Sequence, residues 1–330
     1  MAEYKGIKGF KVQYLSADPS DPIVGQVWYN GTTKALKFTD QALVASIATG
    51  GNLNTARYWL RGFGTLNAGV VASGNTPPSQ QTEEYNGTSW TNSNNLINVQ
   101  MRGGSAQASP QTAGLIFGGR TPPGTLVSAA EEYDGTSWTA GGALPATIDG
   151  NGGAGTQTAG LSYGGRNGPP FPNATNEYNG TSWTAGGTMG TATYNFGSAG
   201  TQTAALSFGG EPGPTPIATT QSYDGTSWSL GTDLINARYA NGGAGQSNTA
   251  AISFGGAHPT NDPTTSIAVE EYDGTSWTAK PNLPAAQKSA GTFGTTFSAV
   301  SAGGSNPSPM NTTFEFSNDY VKGTKTVTVS

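Results

Sequence analysis

The 330-residue chain has no cysteine and a single histidine, His258. The first absence removes disulfides and thiolate chemistry without identifying a compartment. The second leaves too few ligands for a His/Cys zinc centre. Any Ser-His-Asp or Cys-His catalysis would rest on His258 alone. Positive charge is also scarce: no lysine lies between Lys37 and Lys280, a stretch with only Arg57, Arg61, Arg102, Arg120, Arg166 and Arg238. With a net charge of -5, no nucleic-acid partner is expected, and a strong basic patch is hard to assemble. No apolar run approaches the ~18 residues of a membrane-spanning helix, and no charged-then-apolar secretory leader is present, so no membrane insertion is expected. The glycine pairs lack a following helix and lysine, which excludes a phosphate-cradling loop.

What the chain has in excess is glycine, 50 residues, together with 32 aromatic residues, many of them in register. The phrase Tyr-Asn/Asp-Gly-Thr-Ser-Trp, mostly preceded by Glu, occurs five times, ending at Trp90, Trp138, Trp183, Trp228 and Trp277. The tryptophans are 48, 45, 45 and 49 residues apart. A period of about 40–50 residues is that of a propeller blade. A second phrase runs in step with it, an apolar run ending in a glycine pair at Gly118-Gly119, Gly164-Gly165, Gly209-Gly210, Gly255-Gly256 and Gly303-Gly304. Gly69 to Gly74 forms a degenerate first copy, which brings the number of units to six. The sixth keeps Phe314-Glu315-Phe316 but loses the turn and the Trp.

The third copy shows how a unit becomes four strands. Small residues at Gly152 to Thr156 suit an innermost strand, Thr158 to Tyr163 a second, and a third ends at Glu177-Tyr178. Asn179-Gly180 predicts a two-residue hairpin of the primed type, pairing Tyr178 with Thr181 and leading into an outer strand, Thr181 to Thr184. On that register Trp183 lies opposite Asn176, which puts it on the same face as Tyr178. There the rings would fill the space between blades. Glu84, Glu132, Glu177 and Glu271 are expected to be hydrogen-bonding groups of the hairpin or blade edge. Two segments compete to supply the outer strand of the last blade, residues 42 to 50 and Thr324 to Val329, and the pattern leaves both open.

The glycine pairs, the following Tyr and the later Trp resemble the kelch repeat over about residues 55 to 330. That resemblance implies an all-β fold, a six-bladed kelch-like β-propeller of four-stranded blades. The Tyr-to-Trp interval is shorter than usual for kelch, and the Arg that often opens a unit survives only as Arg57, Arg102 and Arg238, with Lys288 in a similar place. The galactose oxidase family shares this propeller but needs two His and a Cys-linked Tyr on copper, a site this chain cannot build. No cofactor or metal is expected.

Residues 1–41 differ from the repeats and form a separate segment, with 42–330 as the propeller. Lys5, Lys8, Lys11, Lys34 and Lys37 cluster there, and Gly25 to Lys37 reads as a β-hairpin with an Asn30-Gly31 turn. Trp28, Tyr29, Asn30 and Gly31 resemble the short attachment segment of bacteriophage tail-fibre and other virion appendage proteins. The repeat phrase, with Gly200-Thr201-Gln202-Thr203-Ala204, is similar to kelch-like proteins of marine phages. These resemblances imply a non-enzymatic virion protein that docks by its N-terminal segment onto other virion proteins and presents the propeller for host-surface or glycan recognition. Homo-oligomers are common among such appendages.

Two alternatives differ in class, a scaffold or decoration that binds other virion proteins, and a glycan-active hydrolase or lyase. The latter needs two carboxylates at suitable separation, and Asp149, Glu211, Asp233 and Asp262 lie off the repeated phrase. A sialidase-like site would also want an Arg cluster on the substrate carboxylate. For binding, the variable loops after each glycine pair should line one rim, where Arg120, Arg166, Glu211 and His258 are the polar candidates.

Overall fold

The computed structural model describes residues 12–75, 79–258 and 262–327, so Lys5, Lys8 and Lys11 lie outside the described residues. No helix occurs among them. The chain divides into two compact units, Ser46–Ser317 and a smaller one made of Met1–Ala45 with Asn318–Ser330. The sequence partition at residue 42 set residues 318–330 with the propeller, whereas the smaller compact unit takes them together with the N-terminal segment.

The larger unit is a six-bladed propeller of antiparallel four-stranded blades. Blade 3 runs Gly152–Thr156, Ala159–Tyr163, Thr175–Tyr178 and Trp183–Ala185, from the inside outward. Blades 1, 2, 4 and 5 repeat this order, starting at Arg61, Gly104, Gly197 and Gly242. Blade 6 takes Gly291–Gly294, Ser298–Ala302 and the start of the strand Thr313–Thr326. Its outer strand comes from the N-terminal side, from the end of the strand Ala35–Thr49. The Gly50 N–H donates to Thr313 C=O, as Gly186 does to Thr175 in blade 3, so Ile47 stands where the other blades have Trp. The closing strand is therefore the 42–50 candidate, while Thr324 to Thr326 extend the strand into the smaller unit.

The hairpin register differs from the expected one. Tyr178 pairs directly with Trp183, and Glu177 with Thr184, around a four-residue loop. The cause is the Asn179 side chain, whose Oδ1 accepts from the N–H groups of Thr181 and Ser182 at 3.0 and 2.9 Å. Asp134, Asp224 and Asp273 act in the same way, which lowers their carboxyl pKa through those backbone N–H donors. Tyr178 and Trp183 still share a face, now as a direct pair with ring centroids 4.8 Å apart.

Side chains clasp each blade to the one before it. Trp138, Trp183, Trp228 and Trp277 pack on Phe63, Phe117, Tyr163 and Phe208 of the preceding blade. The Trp indole N–H donates to a Thr of that blade, as Trp277 does to Thr220 at 3.0 Å, or to a carbonyl, as Trp183 does to Gly142 at 2.7 Å. Wherever the next blade keeps its Tyr, the repeated Glu accepts from that hydroxyl. Tyr178 donates to Glu132 and Tyr223 to Glu177, both at 2.6 Å, and Tyr133 and Tyr85 bond to Glu84 and Glu315. Where Phe316 replaces the Tyr, Glu271 pairs instead with Lys280 at 2.6 Å. Gln157 and Gln202, from the turns between the two inner strands, add bonds to carbonyls of the preceding blade.

In the smaller unit, Val27–Asn30 pairs antiparallel with the start of Ala35–Thr49. The Asn30 Oδ1 accepts from Thr32 and Thr33 N–H, so the loop spans Gly31 to Lys34 and has four residues, with Asn30 pairing to Ala35. Trp28 is fully buried, and its indole N–H and the Asn30 amide both donate to Asp18 Oδ1, at 2.9 and 2.7 Å. The Lys37 ammonium beside Asp18, with these two donors, holds its carboxyl down at about 2. Tyr29 stacks on Tyr14, whose ring also lies against Gly31. Trp28 and Asn30 thus build the hairpin from within.

Candidate functional site at the axial mouth

Antiparallel blades put the variable loops and the blade-to-blade connections at one end of the propeller. The Asn/Asp turns fall at the other. At the first end six residues, one before each inner strand, adopt the left-handed conformation: Trp59, Arg102, Gly150, Asn195, Ala240 and Ser289, with φ between 53° and 64°. Their backbones close a ring around the axis. Arg102 N–H donates to Trp59 C=O, Gly150 to Arg102, Asn195 to Gly150, Ala240 to Asn195, Ser289 to Ala240 and Trp59 to Ser289, at 2.6 to 3.3 Å. Left-handed backbone costs an L-residue about 1–2 kcal/mol, which this belt offsets by satisfying one donor and one acceptor per blade.

The residue before each belt position bridges to the residue just after the glycine pair. The bridges are Tyr58 to Asn75, Met101 to Arg120, Asp149 to Arg166, Tyr194 to Glu211, Tyr239 to Ala257 and Lys288 to Ser305. These three tiers of side chains form the mouth. Arg120, Arg166 and Glu211 hold equivalent places on its rim. His258 lies one residue further on and lines a different pocket, of about 400 Å³, with Arg238, Ala257 and Ile267.

Three of the chain's six arginines converge here, a basic cluster that composition made hard to expect. The Asp149 carboxylate is fully buried and faces Arg102, Arg120 and Arg166 at 3.5, 3.6 and 3.3 Å. Arg102 and Arg120 lie over the Trp59 ring at 5.1 and 4.5 Å, and Arg102 and Arg166 over Tyr194 at 5.8 and 5.0 Å, within cation–π range. The Arg102 Nε–H also donates to Asn195 Oδ1 at 2.9 Å, from blade 2 to blade 4. The Asn195 amide in turn donates to Glu211 at 3.2 Å. Burial raises the Glu211 carboxyl pKa, opposed by Asn195, Arg102 and Arg166. Burial likewise raises the Tyr194 and Tyr239 phenols.

Of the carboxylates considered for catalysis, Asp149 and Glu211 both reach the mouth. Asp233 accepts from Thr220 N–H within blade 4, and the Asp262 side chain lies outside the described side chains. Among the described residues no group of three or more His, Cys, Asp or Glu could hold a metal ion. Sequence reasoning missed Trp59, Tyr194 and the mouth role of Arg102. It had treated Arg102 as equivalent to Arg57 and Arg238, but these two are buried and pair with Glu83 and Glu270. Arg57 and Arg238 sit two residues before the belt, whereas Arg102 is on it.

No family model matches the chain, and no curated protein does. Among solved structures it is similar to YjhT, with a TM-score of 0.66 and 12% sequence identity, over 83% of this chain and 96% of that one. At that identity the likeness speaks for the fold alone.

Proposed function

We propose that the protein is a non-enzymatic bacteriophage virion component that docks through its N-terminal segment and uses the propeller mouth to recognise a host-surface glycan. The observation that carries the recognition half is the convergence of Arg102, Arg120 and Arg166 with Trp59 and Tyr194 on one rigid rim. Aromatic faces and multidentate donors on a preformed scaffold are the materials of a binding site. The virion half rests on the sequence resemblance. Nine of the fourteen exposed large apolar side chains among the described residues fall in the smaller unit, Tyr14, Ile23, Leu43 and Tyr320 among them, which suits a docking element. The larger unit is entered at Ser46 and left at Ser317, whose hydroxyls meet at 2.9 Å at the end opposite the mouth.

The same apolar side chains favour the scaffold reading, in which the partner is another virion protein. Glycan-array binding of the full chain, with released reducing sugar assayed alongside, separates the readings. Binding without turnover supports recognition, turnover overturns the non-enzymatic assignment, and silence in both leaves the scaffold. Immunogold labelling of particles tests the virion placement directly.

A further inference from the structure

We infer that the mouth selects a carboxylate-bearing sugar, held by the guanidinium groups of Arg120 and Arg166 beside the Trp59 and Tyr194 rings. This rests on the glycan-recognition reading above and names the chemical class of its ligand.

Charge placement is the first argument. Asp149 is wholly buried, while side-chain exposure rises from 11% at Arg102 to 20% at Arg120 and 32% at Arg166. The negative group lies underneath, and the positive groups face the solvent. Even with Asp149 and Glu211 both ionised, the three guanidiniums leave the mouth net positive on a chain of net charge -5.

Unused donors are the second. Arg166 gives its Nε–H and an Nη2–H to Asp149 at 3.3 and 3.4 Å, which leaves its Nη1 without a hydrogen bond among the described residues. The Arg120 guanidinium makes no hydrogen bond among the described residues, although it is mostly covered. Arg102 differs, since its Nε–H is spent on Asn195. A planar acceptor with two oxygens fits such forks better than a neutral hydroxyl does.

The test is a glycan array grouped into carboxylated, sulfated and neutral members, probed with the full chain and with R120Q and R166Q. Carboxyl-reduced forms of each carboxylated hit are included. Binding confined to carboxylated members, lost on carboxyl reduction and weakened about 10-fold or more by either substitution, is expected. Unchanged urea midpoints for both variants certify the fold. Equal binding of neutral or only sulfated members, or indifference to both substitutions, overturns the inference while leaving glycan recognition standing. No binding to any glycan overturns both.

Discussion

Tyr178→Phe deletes one oxygen from the clasp between blades 2 and 3. That hydroxyl donates to Glu132 at 2.6 Å and accepts from Gly142 N–H at 3.1 Å. A hydrogen bond to a charged acceptor contributes about 1.5–3 kcal/mol. Glu132 is only half-buried, so water can replace part of the bond, and about 1.5 kcal/mol is the expected loss. Blade 5 supplies the control. Tyr272 occupies the equivalent place, but Ser222 stands where the preceding blade would offer a Glu, and the Tyr272 hydroxyl has no hydrogen bond among the described residues. Tyr272→Phe is therefore expected to cost under about 0.5 kcal/mol. Urea unfolding followed by tryptophan fluorescence reads both as shifts in midpoint at constant slope. A double-mutant cycle with Glu132→Ala should return a coupling of about 1 kcal/mol. Equal losses at Tyr178 and Tyr272, or zero coupling, would refute the clasp.

Three other outcomes follow from the same geometry. Gly150→Ala forces an L-residue to φ 64° and should cost about 1 kcal/mol, whereas Ala240→Gly relieves φ 53° and should leave stability equal or higher, so midpoints moving the same way would count against the belt. Arg57→Met leaves Glu83 buried without its partner and should cost about 3–5 kcal/mol, most of it recovered when Glu83→Met is added; the urea midpoints of the three variants check this. Glu211 faces Arg102, Arg166, Tyr194, Asn195 and Tyr239, and its folded-state pKa is raised by burial. Its contribution to stability is therefore full below the ordinary glutamate range and is lost as pH rises through the raised value. Stability measured at points between about pH 4 and pH 7 should decline less steeply in Glu211→Gln, and a steeper decline would reverse the assignment.

The blades were legible because their signals repeat. Glycine pairs, Tyr and Trp recur at one period because each holds the same contact with a neighbouring blade. The turn was misread because an Asn-Gly or Asp-Gly dipeptide is the strongest signal for a two-residue hairpin. Asn and Asp alternate at this position, at Asn86, Asp134, Asn179, Asp224 and Asp273, and what they share is the Oδ1 atom. That shared acceptor, followed by two N–H donors, points to the four-residue loop. The mouth was less legible, since Tyr58, Met101, Asp149, Tyr194, Tyr239 and Lys288 have the period without sharing a residue type. Which candidates meet depends on a two-residue offset. It sends Arg57 and Arg238 into the core and Arg102 onto the axis.

The two ends of this propeller are held by different kinds of interaction, and this leaves the side chains at one of them free to vary. At the end with the Asn/Asp turns, blades are joined by side chains: Tyr hydroxyl to Glu and turn Gln to carbonyl. A change of residue there removes a bond. At the mouth the belt is made wholly of backbone N–H and C=O groups, so six blades can carry Trp, Arg, Gly, Asn, Ala and Ser at one position without breaking it. The rim has the same freedom, with Arg120, Arg166 and Glu211 followed by Ala257 and Ser305. On the belt and rim the large, charged and aromatic groups fall on blades 1 to 4 and small ones on blades 5 and 6, while the tier before the belt keeps Tyr239 and Lys288 there. The belt and rim are thereby asymmetric around the axis, which closing a ring does not require.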